Sequence, residues 1–239
     1  MNVELQRIAA ERNPVAVLRY EARRPRSVAI VAGHGYSSSK HNLDVLCGFL
    51  ATHGFEVFSL DFPGHKLGAS GGELRGMEDC IDAMSATLHH ARAACDGPIY
   101  TMGHSMGAMT AIFTAALDRT VAGTIAIATG YGRPTALTSI ARSAGSDFRA
   151  SYVRGVALPE LVEGLDERFA GALPLLAGRP QLYVAAKHDA MVGERAVREL
   201  FEHACEPKAF AAIESDHTFA ADHARMAVLQ WLGELHPRA

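Results

Sequence analysis

The stretch Gly103-His104-Ser105-Met106-Gly107 constrains this chain more than any other. It sets a serine between two glycines, and its two flanks differ in kind. Pro98-Ile99-Tyr100-Thr101-Met102 is short and apolar, the composition of a buried strand. Residues 108–117 are rich in good helix formers. A strand that passes into a helix at a serine must turn sharply. The turn drives the serine backbone into an unfavourable region, and glycines two residues either side remove Cβ atoms that would clash there. The hydroxyl is then held clear of the sheet, over a helix N-terminus whose dipole favours negative charge. An ordinary glycine-flanked turn shares the same pentapeptide, so the rest of the chain has to decide between the two.

The remaining sequence alternates strand and helix signals. Residues 3–8 and 15–21 read as two strands joined by a polar segment containing Pro14, a hairpin. Residues 28–32 and 55–60 are strands, and between them 41–53 has a helical apolar pattern stopped by Gly54. A helix over 76–94 precedes the strand at 98–102, and another strand follows at 123–128. Strands at 181–185 and 208–213 flank a helix, and a last helix covers about 220–235. Such alternation predicts an α/β protein with an eight-stranded, mostly parallel sheet, helices on both faces, and an antiparallel pair at the start. The 239 residues suit one domain, 1–239. The segment at about 131–179 carries no strongly apolar strand and is expected to be a small lid.

A serine at such a turn is a poor nucleophile by itself and needs a base to take its proton. Histidine titrates near neutrality and can return that proton, and a carboxylate fixes the imidazole tautomer. The elbow arrangement requires the acid and then the histidine later in the chain. Asp189 follows the strand at 181–185, and His217 follows the strand at 208–213. Ser105, Asp189 and His217 therefore all fall at the carboxyl ends of strands, where open parallel sheets bind ligands. Asp216 is a rival acid and His188 a rival base. His104 is expected to point away from the hydroxyl, and His65 to lie near the pocket mouth. His203, His223 and His236 read as solvated helix positions. An oxyanion needs backbone donors, and the amides of Met106 and Tyr36 are the candidates, the latter in Gly33-His34-Gly35-Tyr36 after the strand at 28–32.

Bulk properties narrow the function. Charged residues make up 21% and the net charge is −3, with Lys and Arg scattered rather than massed, so no nucleic-acid partner is expected. The N-terminal residues lack a basic region followed by an apolar core, and no apolar run is long enough for a bilayer, so neither a secretory signal nor stable membrane association is expected. Cys47, Cys80, Cys95 and Cys205 are widely spaced and read as free thiols in a reducing cytoplasm, without a disulfide frame or zinc site. No metal or cofactor is expected.

Taken together, the His34-Gly35 pair, the elbow, the Asp189 loop and the His217 loop resemble the α/β-hydrolase superfamily over essentially the whole chain. Asp61-Phe62-Pro63-Gly64-His65-Lys66-Leu67-Gly68-Ala69-Ser70 is similar to the Asp-x-x-Gly-x-Gly-x-Ser loop of its serine-esterase and monoacylglycerol-lipase-like members. Lys66 stands where a second glycine is usual, and Ser70 comes two residues late. The resemblance implies a serine hydrolase working through an acyl-enzyme on a small-molecule ester. A short lid implies small or medium acyl groups. An acyl thioesterase is the alternative enzyme, and a hydrolase-fold ligand-binding protein the alternative of another class.

Overall fold

The computed structural model describes residues 1–132 and 151–237. Eight strands form one sheet: β1 (Asn2–Ile8), β2 (Val15–Glu21), β3 (Ala29–Gly33), β4 (Glu56–Leu60), β5 (Ile99–His104), β6 (Gly123–Ile127), β7 (Gln181–Ala186) and β8 (Lys208–Ile213). Their order across the sheet is β1, β2, β4, β3, β5, β6, β7, β8. β2 pairs antiparallel with both β1 and β4, and every other pairing is parallel. This is the α/β-hydrolase arrangement expected. Every residue of β3, β4, β6 and β7 is buried, as their largely apolar composition requires of strands covered on both faces, and the few polar members, Glu56, Ser59, Thr124 and Gln181, are buried with them.

The strand period of two sorts the core into two layers. Ile30, Val57, Met102, Ile125 and Val184 face α1 (Asp44–Thr52) and a C-terminal pair, of which Leu46, Leu50 and Trp231 are packed in the same cluster. Val31, Phe58, Ala126 and Tyr183 face the other way, toward α2 (Met77–Ala94) and α3 (Met106–Leu117). Gly54, with φ 99°, ends α1 as its C-terminal stop.

The expected lid at about 131–179 falls partly on 133–150, including Leu137, Ile140 and Phe148, which lie outside the described residues. Beyond that gap, residues 152–156 run beside the loop after β4. The Arg154 N–H donates to Gly64 O, the Leu74 N–H donates to Arg154 O, and Leu74 O accepts the Val156 N–H. Two short helices follow, α4 (Leu158–Leu161) and α5 (Leu165–Ala172), then a 3-10 turn at Leu173–Leu176. Leu161 and Phe169 are buried in the main core, with Phe169 against the rings of Phe113 at 5.3 Å and Tyr131 at 5.6 Å.

The chain then forms α6 (Glu194–His203), packed over β7 and β8. The single helix expected at 220–235 is two, α7 (Ala220–His223) and α8 (Arg225–Leu235), meeting at Ala224. Among the described residues no helix is long and apolar enough to cross a membrane.

β4 lies on one side of β3 and β5 on the other, so the winding of the sheet reverses between β3 and β5. The loops leaving their carboxyl ends diverge there and open a crevice. Ser105 follows β5 and Tyr36 follows β3, and both project from that point.

Candidate active site

Ser105 caps α3 with φ 55° and ψ −112°, a strained conformation for a residue with a Cβ. Its N–H donates to Ile127 O at 2.9 Å, which ties the turn to β6. The flanking glycines are a packing necessity. A Cβ on Gly103 would lie 2.1 Å from the Gly107 backbone, and one on Gly107 would lie 2.0 Å from Gly33 O. The first turn of α3 therefore presses directly on β3 and β5.

The structure brings Ser105, His217 and Asp189 together. His217 Nε2 lies 3.1 Å from Ser105 Oγ, and His217 Nδ1 lies 2.7 Å from Asp189 Oδ2. Nδ1–H donates to the carboxylate, which leaves Nε2 as the acceptor facing the hydroxyl. Asp189 Oδ1 accepts the N–H groups of Met191 at 2.8 Å and Val192 at 2.7 Å. Burial pushes the Asp189 carboxyl up, but the His217 hydrogen bond and charge, together with those two amides, hold it below the usual carboxylate range.

The rivals do other things. Asp216 accepts the Phe219 N–H at 3.0 Å, a bond within its own turn. His188 is exposed and pairs with Glu214 at 3.0 Å. His203 and His223 are exposed, whereas His236 is partly buried and hydrogen-bonded to Tyr100 OH at 2.8 Å.

His104 has a role that the sequence reading did not assign. Its Nε2–H donates to the backbone O of His217 at 2.8 Å, and the two rings stand 4.9 Å apart. The residue before the nucleophile thus braces the base. No sequence pattern signals this, because the loop it reaches is 113 residues later.

The two candidate oxyanion donors flank Ser105. Met106 is the first residue of α3, so its N–H has no partner within the helix. On the other side, a Cβ placed on Gly35 would fall 3.2 Å from His104 Nδ1 and 3.5 Å from Ser105 Cβ, so this loop lies close against the elbow. Tyr36 comes next, and its hydroxyl donates to Val156 O at 3.0 Å.

Behind this loop lies a buried polar cluster. Lys40 Nζ and backbone N both donate to Asp61, at 2.6 and 2.8 Å. Lys40 was not legible as a site residue. Asp61 Oδ2 also takes the Ala69 N–H, and Ser70 Oγ donates to Asp61 O at 2.6 Å. Ser70 thus reaches Asp61 despite its late position, while Lys66 and Leu67 bulge outward, with Lys66 Nζ bonded to Ser151 O.

His34 donates from Nδ1 to Gly35 O at 2.7 Å and accepts the Phe62 N–H on Nε2 at 3.0 Å. His65 is not at the pocket mouth but 3% exposed, with its ring 4.8 Å from that of His34. Its Nδ1–H donates to Pro63 O, and its Nε2 has no hydrogen-bond partner among the described residues.

Ser105 and His217 line a cavity of about 330 Å³. Leu67, Tyr152, Leu158 and Met191 contribute apolar lining, and Ser37, Ser38, Asn42 and Thr218 polar lining.

Residues 24–166 match the family described as serine aminopeptidase, S33. No curated protein matches the sequence. Among solved structures, an esterase of Pyrococcus furiosus superposes with a TM-score of 0.71 at 18% identity, over 98% of this chain and 90% of its own. An esterase of Thermogutta terrifontis, solved with malate bound, gives 0.71 at 19% identity, over 98% and 99%. A Xanthomonas campestris protein described as an α/β serine hydrolase without lid gives 0.71 at 17% identity, over 100% and 97%. At such identities the likeness is one of fold. The family match covers more than half of the chain and includes β3, the Asp61 loop and the Ser105 elbow. This chain therefore belongs to the serine aminopeptidase, S33 family of α/β hydrolases.

Proposed function

We propose that the protein is a serine-dependent hydrolase of carboxylic esters that works through an acyl-enzyme. The observation that carries this reading is the pair of hydrogen bonds linking Ser105 through His217 to Asp189, 3.1 and 2.7 Å long. Ser105 Oγ attacks the ester carbonyl carbon while His217 Nε2 takes its proton. The carbonyl oxygen becomes an oxyanion stabilised by the amides of Met106 and Tyr36. Collapse breaks the bond to the alcohol oxygen, which takes the proton from His217 and leaves. Water then gives a proton to His217 and attacks the acyl carbon, and Ser105 departs with that proton. Asp189 stays ionised throughout and stabilises the imidazolium. Both half-reactions balance with the chain's own residues and water.

The cavity of about 330 Å³ suits short to medium acyl chains, with Leu67, Tyr152, Leu158 and Met191 as the apolar surface for them. In this reading 1–239 is one domain, and Tyr152 and Leu158 contribute a short cover beside Ser105.

Ser105→Ala should preserve the far-UV circular dichroism and lower kcat by about four to six orders of magnitude. A fluorophosphonate should label Ser105 in the wild type and nothing in the variant. Retention of a tenth of the activity would refute the assignment. Oxygen esters and thioesters from acetyl to palmitoyl test the acyl range. kcat/KM should rise with each methylene by up to about 0.8 kcal/mol and then level off at medium length. A rise continuing to palmitoyl would contradict the small pocket.

A further inference from the structure

The cavity takes its apolar and polar lining from different segments. Leu158 and Met191 pack on the α2 and α3 layer. Ser37, Ser38 and Asn42 belong to the segment between β3 and α1, and Thr218 follows β8. Among the described residues, the side chains of Ser37, Ser38, Asn42 and Thr218 make no hydrogen bond within the protein.

This polar wall is held rigidly. Ser37 keeps a left-handed backbone at φ 59°, a conformation a serine adopts only where its surroundings enforce it. Three residues on, Lys40 is anchored to buried Asp61 through both its amide and its ammonium. That anchoring also withdraws the loop's buried cation from the pocket. A carboxylate or phosphate on the ligand would look for such a cation and find it 2.6 Å from Asp61 instead. Hydroxyl and carboxamide groups, by contrast, both donate and accept, and so do the hydroxyls of a polyol or sugar.

Thr218 lines the same cavity and ties these polar groups to the base. His217 Nε2 must hand its proton to the departing oxygen, and Thr218 is the next residue along the chain.

We infer that Ser38 and Asn42, with Ser37 and Thr218, select esters whose alcohol portion is neutral and bears several hydroxyls, such as a monosaccharide, over esters of simple alkyl alcohols. The inference rests on the ester-hydrolase reading and adds the substrate's leaving half to it. An alkyl alcohol would strip water from these groups and offer nothing in exchange, whereas a hydroxylated one re-forms the lost bonds.

The test uses matched butyrate esters of glucose and of n-hexanol with the full-length protein, and a 4-nitrophenyl butyrate control. The glucose ester should have a kcat/KM at least about 10-fold above the hexyl ester, since each neutral hydrogen bond regained is worth about 2- to 12-fold. Ser38→Ala and Asn42→Ala should each lower the glucose-to-hexyl ratio by about 3- to 10-fold, and the double variant should bring it near one. A wild-type ratio of one or below, or a ratio that the variants leave alone, overturns the inference while the ester reading survives. Absence of turnover of all three esters, with no fluorophosphonate labelling of Ser105, brings down both together.

Discussion

The His217 imidazole is held from three sides. Asp189 takes its Nδ1–H, His104 Nε2–H holds its backbone carbonyl, and the His104 ring lies beside its own at 4.9 Å. His104 touches no reacting atom in the proposed reaction, so its contribution is to position the base. A small misplacement of a base costs on the order of 10- to 100-fold in rate. His104→Ala should therefore lower kcat by about 10-fold or more while KM changes little, with the urea midpoint close to wild type. An effect on KM alone would show that His104 serves the pocket instead. The acid is tested by comparison. Asp189→Asn should cost about four orders of magnitude, because the amide favours the wrong imidazole tautomer. Asp216→Asn disturbs one turn bond to Phe219 and should stay within about 10-fold of wild type. The reverse ranking would move the acid to Asp216. Chain order alone was enough to pick out Ser105, Asp189 and His217, because the elbow imposes a sequence of roles. It could not pick out His104, whose direction depends on how the turn at Ser105 is wound.

Among the elements, those with predominantly apolar runs were the legible ones. β3, β4, β6 and β7 are buried on both faces, and few polar residues interrupt them. Residues 152–156 are another matter. They pair with the Asp61 loop through the isolated bridges His65 to Val153 and Leu74 to Gly155, which impose no periodicity on the sequence. Their position follows from a partner almost ninety residues earlier. The break at Ala224 was equally hidden, since an alanine there suits a continuous helix. Glycines give the element scale its sharpest test. Gly107 lies in the first turn of α3 where a Cβ would meet Gly33 O at 2.0 Å, so Gly107→Ala must push the elbow off β3. It should destabilise the protein by several kcal/mol, of the order seen for overpacking at about 1–3 or more. Gly171 lies in α5 with nothing within 4 Å of its would-be Cβ. Gly171→Ala should stabilise by about 0.5–1 kcal/mol, since alanine loses less entropy on entering a helix. Urea midpoints of the two variants measure both, and a stabilised Gly107→Ala would sink the close-packing account of the elbow.

At the scale of the whole molecule, the sheet order places the site. The reversal between β3 and β5 puts Tyr36 and Ser105 on neighbouring strand ends, and β7 and β8 bring Asp189 and His217 to the same edge. That much follows from alternating strands and helices, and was legible. The cluster beneath the site was not, because Lys40 and Asp61 meet only once β3 and β4 pair in parallel register. The same cluster gives the molecule an acid weakness. Burial pushes the imidazoles of His34 and His65 well below their ordinary value. For His34 the neighbouring His65 and Lys40 add to that, with Gly35 O and Asp61 opposing; for His65 the contacts with Pro63, Phe62 and Asp61 oppose it without prevailing. Charging His34 would also deprive the Phe62 N–H of its acceptor. Both histidines are therefore neutral in the fold, while in the unfolded chain they take up protons below about pH 6.5. Their stabilisation is complete above that pH and is lost as the pH falls toward their folded values, by up to about 1.4 kcal/mol per pH unit for each histidine. Asp61 acts lower. Burial raises it, but the hydrogen bonds from the Lys40 ammonium and amide and from the Ala69 amide hold it below the usual carboxylate range, so its share is lost only beneath that range. Unfolding free energy from urea titrations should accordingly be flat from pH 8 to about 7 and fall between about 6.5 and 5, a window above most carboxylate titration. His65→Gln removes one of the two buried imidazoles and should make that fall visibly shallower, whatever it does to the stability at pH 8. Equal slopes in wild type and variant would show that the acid weakness lies in some other group.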